Sequence, residues 1–139
     1  MSRRAPTDAA APRPRPRARG IRVNPVVSLS IALFLGVLAV WGLALAAAGR
    51  PPTRAYLVAG VIGEVELVLQ GAVAAALLVA GHDPASVGEF LGYLLVTVGL
   101  LPVALNRARA PEATRFDAAV VAVTAIAVAV AVLRLQSLW

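Results

Sequence analysis

Cysteine and lysine are both missing from this 139-residue chain, and histidine occurs once, as His82. Without cysteine there is no disulfide, iron–sulfur cluster or thiolate zinc site, and the redox compartment is left open. One histidine beside Asp83 in a tight loop makes neither a catalytic triad nor a metal centre. Walker, GxSxG, HExxH and CxxCH motifs are absent as well. The stretches between apolar runs are too short to hold a substrate domain, so the expectation is no enzyme, no catalytic residue, no metal and no cofactor. Charge is scarce: 14% of residues carry it, against roughly 25% in soluble domains.

What the chain does have is apolar surface. Hydrophobic residues make up 60% of it, and mean hydropathy is +0.82. A soluble domain of this length has too little interior to hide that much. The fold class that follows is all-α: a polytopic integral membrane protein, an up-down bundle of four transmembrane helices, in contact with the lipid bilayer. All 13 cations are arginine. With the abundance of Ala, Val, Gly and Pro, this points to a GC-rich bacterial genome, an inference from codons rather than physics; the expected location of such a multi-pass protein is the plasma membrane.

Punctuation marks the four helices at 25–48, 54–80, 86–105 and 115–135. Asn24 is placed to cap the first, with Pro25 at its first position and Gly49 past its end. Thr53 follows a Pro-Pro turn and caps the second, which Gly81 and Pro84 close. Ser86 to Glu89 and Thr114 to Asp117 both read as capping boxes. The last run alternates Ala and Val almost like a strand, but its length and the need to pair every backbone group in lipid make it a helix. Pro102 is expected to kink or end the third helix. Thr97 and Thr124 are expected to bond their own backbone, and Trp41 and Trp139 to serve as interfacial anchors. Short connections make sequential helices antiparallel neighbours, giving a transmembrane domain over 25–139.

Residues 1–24 are of different material. Alternating Pro and Arg from Pro12 to Arg19 can neither form a helix nor bury a core, so a disordered basic tail is expected. It suits anionic lipid headgroups or an anchoring role in the cytoplasm. No aromatic interleaves the arginines to stack bases, so nucleic acid is not an expected partner. Ala44-Leu45-Ala46 has the look of a signal-peptide cleavage site, but the apolar run exceeds the ~7–15 residues of such a segment, so the first helix stays uncleaved. Placing both termini in the cytoplasm keeps the seven tail arginines and Arg134 there, eight against Arg50, Arg54, Arg107, Arg109 and Arg115 outside.

The second helix carries the chain's best functional clue. Glu64 and Glu66 lie about 15–18 Å along it, near the midplane of a hydrocarbon core about 30 Å thick. An ionised acid there costs on the order of 2.5–3.5 kcal/mol. A wheel plot gathers Val58, Val61, Ile62, Val65, Val68, Leu69, Val73 and Val79 into one lipid-suited arc. Opposite lie Ala59, Gly60, Gly63, Gln70, Gly71, Ala74 and Ala75, small residues of the kind that let membrane helices approach. The two acids flank this packing arc, ~160° apart across it, so each addresses a different neighbour. Gln70 is one turn from Glu66 and placed to donate to it. In the third helix, Gly88 and Gly92 form a GxxxG pair that Gly99 extends, expected to pack within the bundle, with a dimer face as the alternative.

Helix count and a membrane-depth acid are similar to the small multidrug-resistance exporters. Their essential glutamate lies in the first helix, however, where 26–48 holds no charge, so no family is assigned. Two functions remain open. One is an accessory or assembly subunit that packs against a partner membrane protein through the Glu64/Glu66 helix. The other is a homo-oligomeric, proton-coupled small-solute carrier or channel using the same acids. A purely structural role, neutral carboxyls bonding between helices, stands beside both.

Overall fold

The computed structural model describes residues 24–82 and 84–138. It contains four helices, α1 (Pro25–Ala47), α2 (Arg54–Val79), α3 (Val87–Ala108) and α4 (Arg115–Ser137), in an up-down bundle. Each is long and apolar enough to cross a membrane. The chain is therefore a four-span membrane protein. The tail expectation falls on residues outside the described ones apart from Asn24, as do Asp83 and Trp139.

The helix ends follow from local chemistry. Asn24 Oδ1 accepts from the Val26 amide at 3.0 Å, and Pro25 opens α1. Gly49 and Gly81 take positive φ, 70° and 81°. Each lets the next residue double back, so that Arg50 donates to the Leu45 carbonyl at 2.9 Å and His82 to that of Leu77 at 3.1 Å. This is the Schellman arrangement, which pairs carbonyls that the helix end would otherwise leave open. Ser86 caps α3 through the Glu89 amide at 3.4 Å. At the start of α4 the capping box is complete: Thr114 takes the cap position, and its own amide donates to Asp117 Oδ2 at 2.7 Å.

Pro102 neither ends nor interrupts α3, which runs three residues beyond the expected 105. Proline removes one amide donor from the helical ladder, but Leu101, Ala104, Leu105 and Ala108 are all buried in the core and hold the last turns in place. Tertiary packing outweighs the local break.

The helices sit in sequence order around a square, and α4 closes the ring against α1. That closing seam is the tightest, because α4 presents Ala118, Val121, Ala122, Ala125, Val128 and Val132 at helical spacing, all fully buried. Small side chains let two backbones approach, which is the main source of attraction where lipid is as apolar as leucine. Near one end of the bundle the wholly buried Tyr56 ring meets Trp41 edge-on, with centroids 5.6 Å apart and planes at 73°. The helix whose backbone makes the fewest close approaches to its neighbours is α2.

Candidate functional site

Helix α2 sorts its residues between lipid and protein. All eight of the branched residues in its apolar arc, from Val58 to Val79, are exposed. Gly60, Gly63, Gln70, Gly71 and Ala74 are buried on the opposite side. Gly60 lies against Leu105 and Gly71 against Val98, both on α3, whereas Gly63 meets Phe34 and Leu35 of α1. One side of α2 therefore faces α3 and the adjacent side faces α1.

The glutamates flank these two contacts. Glu64 is about 40° from Gly60 around the helix and about 20° from Gly71, which puts it on the α3 side. Glu66 lies on the α1 side, where it lines a groove of about 710 Å³ between α1 and α2. Both acids are partly buried. Among the described residues neither carboxyl has a hydrogen-bond or ion-pair partner. The one ion pair there joins Arg107 to Asp117 at 2.9 Å, at the turn between α3 and α4. No group of three His, Asp or Glu residues comes together there to bind a metal.

Gln70 does not serve Glu66. Its Nε2 instead donates to Ser28 Oγ of α1 at 3.1 Å, a bond sealed inside the bundle. Glu66 sits nearer the rim of the packed face, so the amide finds the buried hydroxyl first. The other amide atom, Gln70 Oε1, is buried with no hydrogen-bond partner. Thr97 Oγ1 is also buried without one, contrary to the expected bond to its own backbone.

The groove's α1 wall, with Ser28 just behind it, was not legible in advance. Asn24, Ser30 and Phe34 line it. Ser28 and Ser30 are the only hydroxyl residues of α1, and that isolation was the available signal. Ser30 bonds back to the Val26 carbonyl at 2.8 Å.

The glycine stripe of α3 does not pack within the bundle as its spacing suggests. A Cβ at Gly88, Gly92 or Gly99 would meet nothing within 4 Å. These residues point out of the bundle, because α3 turns its Phe90, Thr97, Leu101 and Leu105 side inward instead. Spacing alone could not tell which of the two stripes the neighbours would cover. Compared with known proteins, the chain matches no family model, no curated protein and no solved structure.

Proposed function

We propose that this four-span protein is an accessory or assembly subunit of a larger membrane complex, with its termini in the cytoplasm and α2 as the docking helix. One observation carries the reading. Glu64 and Glu66 stand at mid-helix, partly open to the surroundings, with no partner among the described residues. They also lie on the helix whose backbone makes the fewest close approaches to its neighbours. Intramembrane acids are costly and usually face a cavity or a partner of complementary chemistry. A neighbouring protein would supply what this chain lacks. The carrier alternative has less behind it, because α2 runs unbroken past both acids, whereas transporter sites commonly use interrupted helices.

The test is native extraction. The tagged full chain, released from its own membranes in a gentle detergent, is expected to run as a larger assembly of fixed composition. The Glu64→Gln/Glu66→Gln double variant should lose at least nine-tenths of that assembly while keeping its helicity by circular dichroism. A wild-type chain that always runs free, or a double variant that assembles normally, would refute the reading.

A further inference from the structure

We propose that the α1–α2 groove is the docking seat and that its occupant is a transmembrane helix of a different protein carrying a lysine or arginine at the depth of Glu66. This deepens the subunit reading and rests on it. The groove follows the two helix axes. On α2 it is lined by Glu66, Val73 and Leu77, and on α1 by Val26, Ser30 and Phe34. From Glu66 to Leu77 is eleven residues, a rise of about 16 Å or three helical turns. The walls are open sideways to the bilayer: Val26 is 66% exposed and Val73 55%. A straight trench of that length, apolar and laterally open, has the shape that takes the side of a helix.

Asn24 stands at the outer end of the groove and Ser30 is bonded to its own helix, so the open polar chemistry at membrane depth is that of one acid. At the midplane end stands the unpartnered Glu66 carboxyl. One turn away is Gln70, whose amide nitrogen is committed to Ser28 and whose carbonyl oxygen is buried and unpaired. Of the two, only the Glu66 carboxyl is accessible from the groove, and an ionised carboxylate only accepts. The occupant must therefore donate, and at this depth a cation donates best, since it also balances an ionised acid.

A second copy of the bundle does not qualify. The described arginines are Arg50, Arg54, Arg107, Arg109, Arg115 and Arg134, all in connections or in the terminal turns of helices. None lies at the level of Glu66. With no cation at that depth among the described residues, the proposed cation belongs to a different protein.

The experiment uses the full chain in phosphatidylcholine vesicles. Because the protein has no cysteine, Ala85→Cys gives a unique label at the groove end of the bundle. The probe is a 23-residue leucine–alanine membrane peptide with one central lysine, compared with the same peptide bearing leucine there. Energy transfer is expected to show at least tenfold tighter association of the lysine peptide. Glu66→Gln should erase that preference and Glu64→Gln should keep it. Glu66→Lys should reverse it towards a peptide with a central glutamate. Equal binding of both peptides would mean that lipid-like packing alone fills the groove, and would overturn the proposal. So would a preference that survives Glu66→Gln, or energy transfer between differently labelled copies of this chain that the lysine peptide abolishes. A native assembly that depends on Glu64 alone would refute the groove and leave the subunit reading standing. Lysine-peptide selectivity without any native assembly would do the reverse.

Discussion

A single methyl at Gly42 should loosen the whole bundle. Built onto the backbone, that Cβ would collide with the Tyr56 hydroxyl and come within 2.9 Å of both the Tyr56 ring and the Ala118 carbonyl oxygen. Neither obstacle yields cheaply: the ring is wholly buried against Trp41, and the carbonyl belongs to the α4 backbone. Overpacking of this kind costs about 1–3 kcal/mol. Replacing a helical glycine by alanine returns roughly 0.5–1 kcal/mol. The net expected for Gly42→Ala is a loss of about 1–2 kcal/mol, read by titrating detergent-solubilised protein with dodecyl sulfate and following circular dichroism. Gly36→Ala on the same helix is the control, since nothing lies within 4 Å of its added methyl, and it should unfold no earlier than wild type. The Tyr56 hydroxyl is buried without a hydrogen-bond partner. Leaving such a group unmet costs about 1–3 kcal/mol, so Tyr56→Phe should be neutral or stabilising. In combination it should restore part of the loss from Gly42→Ala, the approach to Ala118 being unrelieved. A Gly42→Ala variant no less stable than Gly36→Ala would refute the reasoning, as would a Tyr56→Phe change that brings no relief.

Two further outcomes are expected. Asp117→Ala removes the reciprocal cap of α4 and should cost about 1 kcal/mol or somewhat more, whereas Arg107→Ala should cost less than about 1 kcal/mol because that side chain is 75% exposed; the same titration ranks them, and the reverse order would sink the capping account. Gly92→Leu should leave stability unchanged, since it points into open space, while Gly71→Leu should destabilise by driving a side chain into Val98 and Leu94 of α3.

Much of this bundle is written locally. A span is set by a run of apolar residues long enough for the bilayer, and a helix end by groups one to four positions away: Asn24 beside Val26, Thr114 beside Asp117, Gly49 and Gly81 doubling the chain back. The lipid-facing side of α2 was equally legible, because a single helix fixes which residues share a face. Local spacing misleads where several arrangements are equally helical. Pro102 looked like a stop, yet buried neighbours carry α3 past it. The Gly88–Gly92–Gly99 stripe looked like a packing face, yet α3 offers a second stripe and the bundle uses that one. Gln70 could have reached Glu66 one turn away, but a hydroxyl 42 residues distant in sequence claims it.

The sequence by itself thus determined that this is a four-span membrane protein and which residues of α2 meet lipid, because bilayer thickness, capping and helical periodicity act within a few residues of each other. Only the tertiary structure decided which polar groups are satisfied and which stay open, and that a groove joins Glu66 to α1. Those outcomes depend on how whole helices rotate and approach, and that is settled by the summed packing of all four.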